Sequence, residues 1–123
     1  MPLKFGVTSA DMKRSTIVTP GWYSAIIKDI EQKPAKTDGS TNTNIEFVLQ
    51  GGPFDGVPIK RTFSEKAPGF AVSFIEAIIR RKINPDGEEF DFENAKGKTI
   101  GVYVLNDTYN GRAVNKVEDF RAI

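Results

Sequence analysis

The chain has 123 residues, with 17 lysines and arginines against 16 aspartates and glutamates, which is enough for one domain with a single hydrophobic core. It contains no cysteine and no histidine, so disulfides, thiolate chemistry and the commonest general base and transition-metal ligand are excluded. No nucleophile-elbow, S-x-x-K or P-loop motif is present in a suitable context, so the sequence predicts no enzyme, no cofactor and no metal site.

The chain begins with a polar segment and a first strand. Residues 1–19 are rich in serine, threonine and lysine and lack hydrophobic periodicity, which predicts an arm that lies over a domain formed by residues 20–123. Residues 22–30 follow Pro20-Gly21 and are rich in aromatic and β-branched residues, which indicates a strand. Trp22 and Tyr23 point to opposite faces of that strand, and the sequence leaves open which of them is buried.

Two further strands precede a helix. The polar, breaker-rich residues 31–43 predict a loop, and residues 44–49 predict a second strand. Residues 57–63 predict a third strand, with a glycine-rich turn before it. The apolar period then changes to that of an amphipathic helix over residues 68–82, on which Phe70 and Phe74 share one face.

An acidic segment and a hairpin complete the chain. Residues 86–93 carry five carboxylates whose spacing does not match a calcium-binding EF-hand loop, so we interpret them as a solvated loop with its two phenylalanines turned inward. Residues 99–105 and 112–120 predict two strands, and Asn110-Gly111 between them is a strong hairpin signal because both positions tolerate positive φ.

The order of three strands, one helix and two strands predicts a mainly β protein. A single helix between strands three and four is typical of the OB-fold, a five-stranded Greek-key barrel in which the helix covers one end. An SH3-like barrel with an inserted helix and an α+β sandwich are the alternatives that this order leaves open.

The chain also resembles a family of small phage-encoded OB-fold proteins that bind single-stranded DNA. The likeness spans roughly residues 20–120 at scattered positions, which are Pro20 to Tyr23, Thr37-Asp38-Gly39, the helical residues 70–79, residues 96–100, Tyr109-Asn110-Gly111 and Asn115-Lys116-Val117. It implies non-sequence-specific binding in phage replication or recombination. Many single-strand binders carry an acidic tail that recruits partners; the sequence ends at Ala122-Ile123 without one, and the acidic residues 86–93 are the alternative recruiter.

Binding of single strands needs cations for phosphates and exposed aromatic rings for bases. OB-folds present both on the face of strands 2 and 3 and on the loops that join strands 1–2 and 4–5. The candidate nucleic-acid-binding residues at those places are Lys28, Lys33, Lys36, Phe54, Lys60, Arg61, Tyr109, Arg112 and Lys116.

The sequence leaves several questions about partners open. RNA is an alternative ligand, and the protein is expected to act alone, as a homodimer or by cooperative self-association along the strand. No apolar run is long enough to span a bilayer and no signal peptide is visible, so we expect a cytoplasmic protein, in the host cytoplasm if it is phage-encoded. The near-neutral charge favours a competing function, an OB-like protein-interaction or virion-structural module that binds no nucleic acid.

Overall fold

The computed structural model describes residues 16–34, 40–64 and 68–123, with the side chains of Pro68 and Phe70 excepted. The predicted order of three strands, one helix and two strands is confirmed. The elements are β1 (Gly21–Pro34), β2 (Thr41–Gln50), β3 (Pro58–Ser64), α1 (Val72–Ile79), β4 (Thr99–Tyr109) and β5 (Arg112–Arg121).

The five strands form one antiparallel sheet in the order β3-β2-β1-β4-β5. β1 is the central strand, since it pairs with β2 on one side and with β4 on the other. No backbone ladder joins the edge strands β3 and β5 in the described residues, so the sheet is not closed there. The two edges nevertheless approach each other, because Nη1 of Arg61 on β3 donates a hydrogen bond of 2.8 Å to the carbonyl oxygen of Val117 on β5.

The prediction of a loop over residues 31–43 is wrong at both ends. β1 continues to Pro34 and β2 already begins at Thr41, so that Gln32 pairs with Thr43 in the ladder. The Gln32 side-chain amide also donates to the Thr43 hydroxyl over 3.2 Å. Pairing with a neighbouring strand therefore holds polar residues of low strand propensity in an extended conformation.

The β4–β5 hairpin turns through two residues, as predicted. β4 extends four residues beyond its predicted end to Tyr109, which leaves Asn110 and Gly111 as the turn, with φ values of 51° and 77°. Positive φ at both turn positions matches the right-handed twist of the flanking strands, and asparagine and glycine adopt it at little cost.

The inner face of the sheet and α1 form the hydrophobic core. Ile45, Phe47 and Leu49 share this face at alternate positions of β2 and are buried, as predicted. Phe74 of α1 is fully buried, and its ring lies 5.2 Å from that of Phe120 and 5.5 Å from that of Phe63. Since truncation of a buried phenylalanine to alanine costs about 3–5 kcal/mol, Phe74 is a major contact between the helix and the edge strands.

α1 is shorter than the predicted helix over residues 68–82. The chain first makes a 3-10 turn at Pro68–Ala71, and α1 ends at Ile79 because Arg80 adopts a left-handed conformation with φ of 62°. The backbone N–H of Arg80 still donates to the carbonyl oxygen of Glu76 over 2.9 Å. The basic residues therefore lie beyond the helix, not in its last turn as the sequence indicated.

The described end of the predicted arm packs against the β4–β5 hairpin. Val18 is fully buried, and its backbone N–H donates to the side-chain oxygen of Asn115 over 2.8 Å. The Asn106 amide donates to the carbonyl oxygen of Val18 over 2.9 Å. The side chains of Asn106 and Asn115 thus supply the hydrogen bonds that a neighbouring strand would otherwise provide for this segment. The rest of the predicted arm, residues 1–15, lies outside the described part of the chain.

Candidate nucleic-acid interface

The outer face of β1, β2 and β3 includes the face of strands 2 and 3, which is one of the surfaces where the sequence predicts binding. A groove of about 210 Å³ on this face is lined by three acidic residues, Asp29, Glu31 and Glu46, and by two lysines, Lys33 and Lys60. The Lys33 ammonium lies 3.3 Å from the Glu31 carboxylate. This face therefore carries more negative than positive charge and does not favour a phosphate backbone.

A second groove runs along the open seam between β3 and β5, and we refer to it as the seam groove. Its volume is about 590 Å³. Its lining residues are Ile17, Pro58, Ile59, Lys60, Arg112, Ala113, Val114 and Asn115.

Both charged residues among the described lining of the seam groove are cations. They are Lys60 on β3 and Arg112 on β5, and no carboxylate belongs to the lining. Lys60 lies at the border of the two grooves, because it also lines the acidic groove and is directly opposite Glu46 in the β2–β3 ladder. Neither cation forms an ion pair with another described residue. The remaining wall is mostly apolar, so the groove combines free cations with surface on which a sugar or a base can lie.

Tyr109 lies beside Arg112 at the tip of the β4–β5 hairpin. It is the last residue of β4, lies directly across the ladder from Arg112, and is 70% exposed. An exposed ring beside a free guanidinium is the pairing that single-strand binders use for base stacking next to a phosphate contact. Of the predicted residues, the structure thus places Lys60 and Arg112 in one groove and Tyr109 directly across the ladder from Arg112.

Two of the predicted residues are directed into the protein. Arg61 lies on the opposite face of β3 from Lys60, where it is half-buried, bonded to Val117, and has its guanidinium 5.3 Å from the centre of the Phe63 ring. Phe54 is partly buried against the core, with its ring 5.9 Å from that of Tyr23. Arg61 and Phe54 were predicted to contact a ligand, but their side chains point into the protein instead.

The remaining predicted cations lie outside the seam groove. Lys28 is exposed at a β-bulge of β1, where the register shifts between Ile27 and Asp29. The Lys116 ammonium lies 3.5 Å from the Glu118 carboxylate, which offsets its charge. Lys36 lies outside the described residues.

An aromatic surface that the sequence did not single out lies on the outer face of β1, β4 and β5. Trp22 is 37% exposed there, directly across the ladder from Tyr103, and the two ring centres are 5.3 Å apart. The Arg121 guanidinium lies 4.2 Å from the centre of the Trp22 ring. Tyr23 faces inward and its hydroxyl donates to the carbonyl oxygen of Thr19, which resolves the question left open for Trp22 and Tyr23.

The acidic segment is tied to the end of α1. Both terminal nitrogens of Arg81 donate to the Glu88 carboxylate, over 2.8 Å and 2.6 Å. These bonds, together with the backbone N–H of Asn84, lower the pKa of Glu88 from its usual 4.5 to about 2. Phe90 and Phe92 are partly buried and stacked 5.5 Å apart, as predicted for the inward-turned rings.

Among the described residues, no group of three or more aspartates and glutamates is placed so that it could hold a metal ion. Within the same ranges, no helix has both the length and the apolar character to cross a bilayer. Comparison with protein-family models finds no match for the chain, and comparison with curated proteins finds none either.

Proposed function

We propose that the protein binds single-stranded DNA without sequence specificity, as an OB-fold domain that works in the host cytoplasm during phage replication or recombination. The observation that carries the proposal is the seam groove, whose described lining contains the cations Lys60 and Arg112 and no carboxylate. The exposed ring of Tyr109 lies directly across the ladder from Arg112.

The topology supports the OB-fold as the architecture behind this function. The helix lies between β3 and β4, and the edge strands β3 and β5 approach each other through Arg61 and Val117. In an OB-fold barrel the same two strands are neighbours, and the connection between strands four and five is one of the loops that contact ligands. Tyr109 and Arg112 flank that connection.

The proposed binding mode follows from the groove chemistry. Lys60 and Arg112 bind successive backbone phosphates, Tyr109 stacks on a base, and the apolar wall of β3 and β5 contacts the sugars. Since every base has a flat face and no side chain in the groove reads a base edge with a fixed donor pattern, binding is tolerant of sequence. Two phosphate contacts give a log–log salt slope of about −1.4, at roughly −0.7 per phosphate.

The test is fluorescence anisotropy of labelled oligo-dT at low and moderate salt. The double variant Lys60→Ala, Arg112→Ala is expected to lower the affinity strongly and to flatten the salt dependence, and Tyr109→Ala is expected to lower the affinity at both salt concentrations. Lys98→Ala is the matched control, because Lys98 is exposed and lines none of the grooves described here. Equal losses in the control and the double variant would contradict the proposal.

One observation favours the competing function, a protein-interaction or virion-structural module. The outer face of β1, β2 and β3 carries Asp29, Glu31 and Glu46, and a surface with this charge suits a basic protein partner better than a nucleic acid. Single-stranded DNA, duplex DNA and RNA tested side by side separate the functions: silence with all three supports the interaction module, and a preference for RNA reassigns the ligand. Sedimentation with and without oligo-dT tests a homodimer and self-association along the strand.

A further inference from the structure

The outer face of β1, β4 and β5 holds an arginine stacked on the protein's only tryptophan. The Arg121 guanidinium lies 4.2 Å from the centre of the Trp22 ring, within the range of a cation–π interaction, and Tyr103 packs edge-on against the same ring. Both Trp22 and Arg121 are exposed. The stack therefore holds a charged group and an aromatic group in one orientation at the surface.

A glycine allows this arrangement. Gly101 is directly opposite Arg121 in the β4–β5 ladder, and a β-carbon at Gly101 would lie 2.9 Å from Cγ of Arg121. Any larger residue at this position would push the arginine stem away from the sheet, since real β-carbons do not approach so closely. The backbone of β4 thus leaves the space through which Arg121 reaches Trp22.

The charge beside the stack is positive. Arg121 also lines a groove of about 450 Å³ with Arg80, Arg81 and Lys82 at the end of α1. Two carboxylates, those of Glu76 and Asp119, belong to the same lining, so the four cations outnumber them. The Glu76 carboxylate lies 3.5 Å from the Lys82 ammonium, and Arg81 is bonded to Glu88. Arg80 and Arg121 remain without an ion pair in the described part of the chain.

We infer that Trp22 and Arg121 form a second binding site for a nucleotide of the same single strand, with the phosphate at Arg121 and the base against the exposed part of Trp22. This inference rests on the proposed function, because the ligand class is the one proposed for the seam groove. Single-strand binding needs cations for phosphates and exposed rings for bases, and Arg121 and Trp22 supply both at this second place.

The two sites lie at opposite ends of β5. Arg112 is its first residue and Arg121 its last, so at a rise of about 3.3 Å per residue they are roughly 30 Å apart. A short oligonucleotide occupies one site, whereas a longer one follows β5 and occupies both, which raises its affinity through the effective concentration of the second contact. Affinity is therefore expected to rise steeply with oligonucleotide length.

The experiment uses the tryptophan as its own reporter. Oligo-dT of about 4 and of about 16 nucleotides, the range of site sizes in OB-folds, is titrated while anisotropy and Trp22 emission are recorded together. The wild-type protein is expected to bind the longer oligonucleotide with quenching of Trp22. Arg121→Ala is expected to bind the longer oligonucleotide about tenfold more weakly. Binding is then expected to quench Trp22 emission only slightly, relative to the emission of the unbound variant.

Matched variants separate the second site from the first. Arg121→Lys keeps the charge but loses the flat stacking surface, so an intermediate affinity is expected. Lys98→Ala is again the control for loss of one exposed cation. If the longer oligonucleotide binds with unchanged Trp22 emission and Arg121→Ala binds like the wild type, the second site is overturned while the proposed function stands. If no oligonucleotide binds at all, both fall together.

Discussion

Nη1 of Arg61 donates a hydrogen bond of 2.8 Å to the carbonyl oxygen of Val117, and this bond joins β3 to β5, between which the described residues form no backbone ladder. The same side chain has one unfavourable feature, because its Nε is buried without a hydrogen-bond partner in the described residues. A guanidinium on the inner face of β3 thus acts as a connection between two strands that do not pair.

Replacing Arg61 by methionine is expected to destabilise the protein. Methionine keeps the apolar stem but leaves the Val117 carbonyl without its donor, at a cost of about 1–3 kcal/mol. Urea unfolding measures the change, and Lys60→Met is the matched control because Lys60 is exposed on the opposite face of the same strand. A variant as stable as the wild type would show that the bridge contributes nothing.

The end of α1 offers a prediction about backbone strain. Arg80 holds φ of 62°, a conformation that costs a residue with a β-carbon about 1 kcal/mol relative to glycine. Arg80→Gly is therefore expected to be more stable than Arg80→Ala by about that amount, since both variants lose the same charge. Thermal unfolding of the two variants checks the difference, and the reverse ranking would contradict it.

The ion pair between Arg81 and Glu88 makes the free energy of unfolding depend on pH in the acidic range. Because the pKa of Glu88 is lowered from 4.5 to about 2 in the folded protein, its contribution is complete above pH 4.5 and disappears as the pH falls through about 2. An NMR titration of the Glu88 carboxyl is expected to show a midpoint near 2.

The variant Glu88→Gln checks the same ion pair by unfolding. The stability difference between wild type and Glu88→Gln is expected to shrink as the pH falls across this window. Glu89→Gln is the control, because Glu89 is exposed and forms no ion pair with a described residue. A Glu88 midpoint close to 4.5 would show that the pair does not form in solution.

Alanine at Gly101 is expected to disturb the Trp22–Arg121 stack. The added methyl group would lie 2.9 Å from Cγ and 3.3 Å from the carbonyl oxygen of Arg121, and overpacking of this kind costs about 1–3 kcal/mol. Trp22 emission reports the displaced guanidinium, and urea unfolding reports the cost. Gly69→Ala is the control, since nothing lies within 4 Å of a β-carbon there, and a loss of the same size in the control would contradict the explanation.

Much of the fold follows from local patterns in the sequence. The alternating apolar residues of β2, the helical spacing around Phe74 and the Asn110-Gly111 turn signal each depend on a few neighbouring residues. The strand face, the helix and the turn that they predict are confirmed. The extended residues of β1 beyond Ile30 could not be predicted in this way, because their conformation depends on pairing with β2, not on their own propensity.

The candidate site was less predictable because it depends on residues far apart in the chain. Lys60 and Arg112 share a groove only because β3 and β5 approach each other, a relationship that no local pattern contains. The inward direction of Arg61 was accessible, however. Arg61 is two positions from each of the buried residues Ile59 and Phe63, so the two-residue period of a strand places it with them on the inner face, opposite Lys60.

The central position of β1 has a consequence for the order of folding. Its hairpin with β2 and the hairpin of β4 with β5 join residues close in sequence, but the ladder between Trp22 and Tyr103 must close a loop containing most of the chain. Loop closure of this kind slows folding, and topologies dominated by such contacts fold in milliseconds to seconds. The two hairpins are therefore expected to form early, and the joining of β1 to β4 to limit the rate.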